Sequence, residues 1–403
     1  MSRDPAWRWV VPAIVGAHVA GLAAVLANSA AWGPTLKGDE YSHWPQIQLF
    51  LQGAWEMEPT VTQIPGYHLL VALPLRLVGL EHLDAARSLS LLFGAASVLA
   101  FAGCVRALDV PRPALRTLQF ALLPLLFPFR FLLYTDTVSL AVLLGMAWAV
   151  LRGRLGLAGL LGLAALGVRQ ANAPFVFAAP LLLYLRASPS PADLVRRSWT
   201  FGVAGVAFAA FLVLNGGVAV GAAEQEKHPL GLYVGNAVFA LVAAPAVALP
   251  WVLPGAWRGL LSTVHARAWG RAAVGFVAVV AFVVAYEIES GMNFATGNYI
   301  HNHLVVEVAA TAGTRLAGAM VALLTVLTLA TVQVRGGWLV WGVVLASLAP
   351  LSMVEPRYWV PAWTLIWLLR PDAGWRTERA LTAWFAVLSA VLFGGLILER
   401  FMP

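Results

Sequence analysis

Apolar runs long enough to cross a bilayer recur from one end of this chain to the other, and they exclude every fold class except a membrane protein. A transmembrane helix needs about 20 consecutive, predominantly apolar residues. Such runs, broken by charged or Pro/Gly punctuation, lie near 10–31, 88–106, 114–133, 137–151, 155–168, 172–185, 198–219, 232–252, 271–286, 312–333, 337–351, 357–369 and 380–398, which predicts about thirteen spans. Only 11% of the residues are charged and 60% are hydrophobic, whereas soluble domains carry about 25% charged residues. No polar stretch is long enough for a sizeable water-soluble domain. The expected fold is therefore an all-α, polytopic integral membrane bundle with short helices on its outer face. The single cysteine, Cys104, lies within an apolar run, so neither a disulfide framework nor a thiolate metal cluster is available.

Charge gives the expected orientation. Arg3 and Arg8 precede the first apolar run, which is longer than a signal-peptide core and reads as a retained span. Residues 66–80 form a short apolar helix containing Arg76, expected to be interfacial or re-entrant. With the N-terminus in the cytoplasm, 17 of the 26 basic residues fall inside and 14 of the 19 acids fall outside or at the outer ends of spans, as the positive-inside rule prefers. The net charge of +7 and pI near 10.0 come from arginines scattered singly between apolar runs, which is not a nucleic-acid surface. The longer outer loops, 32–65, 220–231 and 287–311, hold the unusual residues, and function is expected there. There is no Gly-rich phosphate loop, HExxH or Cys/His metal spacing, and no inverted repeat of the transporter kind.

The first outer loop is the most informative: Gly38-Asp39-Glu40-Tyr41-Ser42-His43-Trp44-Pro45-Gln46-Ile47-Gln48. Adjacent carboxylates just past a span suit general-base chemistry when partly desolvated, and they equally suit a solvated loop. Pro45 favours the first turn of a helix, so a short amphipathic helix is predicted from there to Gly53. Trp44 and Trp55 flank the acids and are candidates for stacking on sugar rings. Asp136, in Tyr134-Thr135-Asp136-Thr137, either caps the following helix or approaches Asp39 and Glu40. Arg169, in Arg169-Gln170-Ala171-Asn172, needs an anionic partner, either a protein carboxylate or a ligand phosphate. The same choice applies to Arg357 in Glu355-Pro356-Arg357-Tyr358. Lys227, within Glu226-Lys227-His228-Pro229, and the pair His301 and His303 are candidates for hydrogen bonding to a phosphate or sugar; the two histidines lack a third metal ligand.

With those residues laid out, the chain resembles a glycosyltransferase of the GT-C membrane superfamily, and more narrowly the family of the eukaryotic dolichyl-phosphate-glucose α-1,2-glucosyltransferase. The resemblance rests on Asp39-Glu40 with His43, Pro45, Gln46 and Gln48, on Trp55 with Thr60, Thr62, Pro65, Gly66 and Tyr67, on Leu133 to Asp136, on Arg169-Gln170-Ala171-Asn172, and on Glu355 with Arg357-Tyr358. It is dense over about residues 35–185 and patchy beyond. It departs at Asp136, where eukaryotic members carry glutamate, and in shorter outer loops after residue 220. The composition is that of a bacterial protein, which places it in a cytoplasmic membrane with the active site outside.

The resemblance implies an inverting transfer of a hexose, with glucose favoured, from a polyprenyl-phosphate donor to a hydroxyl of a glycan or lipid-linked acceptor. A phosphodiester already carries a good leaving group, so the residues must supply a base for the acceptor hydroxyl and positive charge for the phosphate. A single carboxylate base gives inversion, whereas retention would need a second carboxylate as nucleophile. Asp39 is expected as base, with Glu40 or Asp136 orienting the acceptor. Arg357 and Arg169, with His301, His303 and Lys227, are expected at the donor phosphate. His43, Trp44, Trp55, Gln170, Asn172, Tyr358 and Glu355 are expected at the acceptor or sugar. No cofactor is indicated, and no metal site. Residues 1–220 are expected to form the catalytic membrane module and 221–403 a variable module completing the donor site. The rival class is a transporter or flippase of a lipid-linked anion, which would hold its ionisable residues near mid-bilayer; here they gather at the outer ends of spans.

Overall fold

The computed structural model describes residues 4–27, 36–220, 225, 231–265, 277, 299–332 and 334–400. Among them there is no strand, and helices account for nearly all regular structure. The chain separates into two compact units, residues 1–121 with 126–230, and residues 122–125 with 231–403.

The first unit holds α1 (Trp7–Ala27), α2 (Glu40–Leu51), α3 (Gly66–Val78), α4 (Leu83–Ala107), α5 (Pro113–Ala121), α6 (Thr135–Leu151), α7 (Leu155–Val168), α8 (Ala173–Ala187), α9 (Pro191–Arg197) and α10 (Trp199–Asn215). α4 packs along α6, α6 along α7, and α7 against α10, while α2 lies on α3. The junction of α2, α3, α4 and α6 is filled by Ile47, Phe50, Tyr67, Val71, Leu75, Ala86, Leu133 and Val138, all buried. This apolar floor holds the start of α2 beside the start of α6.

Local signals explain the element ends that matter. His82 caps α4 through its ring, which accepts from the Ala85 N–H at 3.2 Å. Pro65 stands at the entrance of α3, where its missing N–H costs nothing. α2 begins at Glu40, several residues before the start predicted from Pro45. Gly38 takes a left-handed φ of 54° and turns the chain into the helix, and Asp39 occupies the cap position. Pro45 then forfeits a single backbone bond inside the second turn. The acid pair therefore sits on the first turn of α2 and not in the loop that leads to it.

The second unit holds α11 (Val234–His265), α12 (Ile300–Ala310), α13 (Ala312–Thr331), α14 (Trp338–Leu348), α15 (Val360–Leu369) and α16 (Trp375–Ile397). α11 contains Pro245, Pro250 and Pro254 and kinks at Ala248, whose φ of −127° is not helical. Beyond the kink, Gly255 and Gly259 form a Gly-x-x-x-Gly face against α13. A Cβ on Gly259 would lie 2.4 Å from the Leu327 carbonyl oxygen, so only glycine allows this approach. Thr328 secures it by donating to the Val252 carbonyl at 2.7 Å. Arg370 and Glu378, both buried, pair through two bonds of 2.7 Å.

Five helices are long and apolar enough to cross a membrane: α1, α4, α11, α13 and α16. A sixth arises if α9 and α10, bent by 57°, count as one span. The remainder of the thirteen expected spans do not reach that length among the described residues. The run 114–133 is a nine-residue helix followed by an irregular segment and a short 3-10 turn, because Pro124 and Pro128 remove backbone donors. The run 337–351 yields an 11-residue helix, and 357–369 yields a 3-10 turn and a 10-residue helix. The run 271–286 falls outside the described residues except for Val277. α3, at 13 residues, spans about 20 Å, short of the roughly 30 Å of hydrocarbon in a bilayer.

Candidate active site

Glu40 is completely buried and its carboxylate is surrounded by donors. Arg87 of α4 reaches it with Nε at 2.9 Å and Nη2 at 2.6 Å. The backbone N–H groups of Leu133 and Lys37 add bonds of 2.8 and 2.9 Å. Four donated bonds occupy a carboxylate's capacity. Glu40 thus ties α2 to α4 and to the segment entering α6. Arg87 was not among the expected site residues. Its signal was present nonetheless: an arginine at the start of a span requires a partner.

Asp39, one residue earlier, is only half-buried. Its N–H donates to the Tyr134 hydroxyl at 3.0 Å, and its carbonyl accepts from the N–H groups of Ser42 and His43. Its carboxylate does not cap α2. Tyr67 is fully buried on α3. Burial drives its hydroxyl pKa well above the ordinary value; Ser90 opposes the shift, and the carboxylates of Glu40, Asp136 and Asp39 add to it. The cap position of α6 is taken by Tyr134 and not by Asp136.

Asp136, on the first turn of α6, forms an ion pair with Arg169, and both are buried. Arg169 leaves the end of α7 in extended conformation before a 3-10 turn over Gln170–Asn172. Its anionic partner here is a protein carboxylate. Gln170 donates to the carbonyls of Thr62 and Val218 at 3.1 and 2.9 Å. Asn172 donates to the Ala165 carbonyl at 2.8 Å and accepts from the Ser139 hydroxyl at 2.9 Å. Gln170 and Asn172 thus brace the loop behind the acids.

His43 and His68 form a buried pair, with Nδ1 of His43 and Nε2 of His68 3.1 Å apart. Burial, and then the neighbouring His43, push the His68 pKa well below the ordinary histidine value. Gln46 fixes the next loop by donating to the Glu56 carbonyl at 3.0 Å and accepting from the Glu58 N–H at 2.6 Å. Trp44 packs partly against the apolar floor, whereas Trp55 is 71% exposed beside Phe50.

In the second unit, Arg357 is held by Glu355 in a buried, two-point ion pair and lies 5.6 Å from the centre of the Tyr358 ring. His303 is exposed on α12. Lys227 and the side chain of His301 lie outside the described residues. Among the described residues, no three His, Cys, Asp or Glu side chains are placed to hold a metal ion.

The model of the DIE2/ALG10 family matches residues 34–189 and 182–368, most of the chain. The chain belongs to the DIE2/ALG10 family. No curated protein and no solved structure gives a significant match. Membership in the DIE2/ALG10 family implies a membrane glycosyltransferase that uses a dolichyl-phosphate sugar donor and a glycan acceptor. The first matched segment contains the whole acid cluster, from Asp39 to Asn172, and the second contains Glu355, Arg357 and Tyr358.

One glycine of this DIE2/ALG10 segment sets the spacing of the site. A Cβ on Gly66 would lie 2.5 Å from the Gly167 carbonyl oxygen and 3.2 Å from the Val168 nitrogen. The obstacle is backbone, so α3 would have to retreat from the turn that carries Arg169. Gly66→Ala is expected to cost about 1–3 kcal/mol and to lower activity through the displaced Arg169 turn. A thermal midpoint in detergent equal to that of the wild type would refute the close approach.

Proposed function

We propose that this protein transfers a hexose, with glucose the favoured sugar, from a polyprenyl-phosphate donor to an acceptor hydroxyl on the extracytoplasmic face, with inversion. One observation carries the reading. Of the three carboxylates at the starts of α2 and α6, Glu40 and Asp136 are buried against arginines and one, Asp39, is half-exposed.

In this reading Asp39 takes the proton of the acceptor hydroxyl. The acceptor oxygen attacks the anomeric carbon opposite the phosphate. The carbon–oxygen bond to phosphate breaks with its electron pair, and polyprenyl phosphate leaves as the monoester. A single base and a single displacement invert the anomeric centre. Arg169, oriented by Asp136, is the cation of the first unit suited to a departing phosphate.

The test is reconstitution in liposomes with polyprenyl-phosphate-glucose and a panel of glycan acceptors. Release of polyprenyl phosphate together with an inverted glucosyl product is expected. Movement of intact donor between leaflets, with no sugar transferred to any acceptor, would replace the transferase with a flippase.

A further inference from the structure

Five arginines stand at the end of the first unit remote from the acid cluster, and the transfer reaction assigns them nothing. Arg152 and Arg154 form the turn between α6 and α7, Arg186 lies in the last turn of α8, and Arg196 and Arg197 end the short helix α9. Packing brings these segments to one end. The Thr200 hydroxyl, at the start of α10, donates to the Leu155 carbonyl at the start of α7 at 3.2 Å, and a Cβ on Gly159 would lie 2.3 Å from the Thr200 Cβ. α9 packs on both α8 and α10. From Asp136 to Arg152, α6 rises about 24 Å at about 1.5 Å per residue, most of the roughly 30 Å of hydrocarbon in a bilayer. The arginines therefore belong to one membrane surface and the acid cluster to the other, which separates them from the site proposed for the donor phosphate.

Two features mark this end as a surface that meets lipid headgroups. All five side chains are exposed, and among the described residues only Arg196 has a carboxylate partner, Asp193 at 2.7 Å. Beside them stand Val195, 74% exposed, and Trp199, 66% exposed, at the 57° bend between α9 and α10. Apolar and indole side chains interleaved with arginines suit the boundary between acyl chains and headgroups. We propose that this end of the first unit binds anionic phospholipid headgroups. Arg152, Arg154, Arg186 and Arg197 hold the lipid phosphates, and Val195 and Trp199 sit against the first carbons of the acyl chains. The planar guanidinium fork matches phosphate oxygens in pairs. A net negative headgroup is favoured over a zwitterionic one, whose ammonium the same arginines repel.

The experiment measures lipid binding to purified, delipidated full-length protein by native mass spectrometry. The probes are phosphatidylglycerol and phosphatidylcholine with the same acyl chains. Phosphatidylglycerol is expected to bind roughly tenfold more tightly, the worth of one or two arginines at a charged lipid surface. The quadruple variant Arg152→Gln, Arg154→Gln, Arg186→Gln and Arg197→Gln should bring that preference to within about twofold. A variant with the same change in net charge, made at four exposed arginines of the second unit (Arg258→Gln, Arg376→Gln, Arg379→Gln and Arg400→Gln), should keep it. Equal losses in the two variants would reduce the effect to net charge and overturn the site. Inorganic phosphate bound as tightly as phosphatidylglycerol would also overturn it, by making the ligand a soluble anion. A wild type without any lipid preference would do the same and leave the face to an acidic protein partner. Should the quadruple variant not fold, wild type alone decides. Raising the salt from about 0.1 to 1 M shortens the screening length from about 10 to 3 Å and should shrink the preference, whereas a preference unchanged by salt contradicts an exposed guanidinium–phosphate surface.

Discussion

Asp39→Asn is expected to lower kcat by about 10²- to 10⁴-fold, the usual worth of a positioned general base. Asparagine has nearly the same shape and is an equally good residue at a helix cap. The carboxylate of Asp39 makes no capping bond to α2, and the substitution leaves the backbone bonds of the residue to Tyr134, Ser42 and His43 in place. The thermal midpoint should therefore stay within a degree or two of wild type. Turnover above about a tenth of wild type at saturating donor would remove Asp39 as the base.

The neighbouring acid should behave in the opposite way. Arg87→Met leaves the buried carboxylate of Glu40 without its charged partner, and breaking one side of a buried ion pair costs about 3–5 kcal/mol. Most of the folded protein should be lost on extraction into detergent. The double substitution Glu40→Leu with Arg87→Met removes both charges and should recover part of that stability, though Leu133 and Lys37 then keep N–H groups without the carboxylate they now serve. Glu40→Gln retains acceptor capacity and should fall between the two. A Glu40→Gln protein that is as stable as wild type yet inactive would return Glu40 to the catalytic role expected from sequence.

That contrast marks what was legible in the chain. The apolar runs announced an all-helical membrane protein, and the acidic, arginine and proline–glycine motifs announced the DIE2/ALG10 family, because both are local patterns. The pairing of Asp136 with Arg169 was open from sequence, since it depends on how the start of α6 meets the turn after α7. Arg87 was invisible as a partner, because periodicity does not say which arginine reaches a carboxylate 47 residues away. The early start of α2 was missed because Pro45 looks like a first-turn residue, while the cap position of Asp39 and the left-handed Gly38 prevail. The count of thirteen spans treated each apolar run as one helix. Pro124, Pro128 and the prolines of α11 show that hydrophobicity alone does not decide where a helix ends. His68 was hidden for a different reason: an isolated histidine in an apolar segment carries no spacing signal.

Successive residues of a helix point about 100° apart. Two identical charges side by side at the start of α2 therefore look in different directions, one buried against Arg87 and one half-exposed. The dipeptide has a grammar: the longer acid comes second and faces the interior. Reversing its order would preserve composition, net charge and hydropathy and still offer the interior an acid one methylene shorter. Any search for distant members of such proteins that scores this site as two interchangeable acids discards the information that tells the half-exposed carboxylate from its buried neighbour.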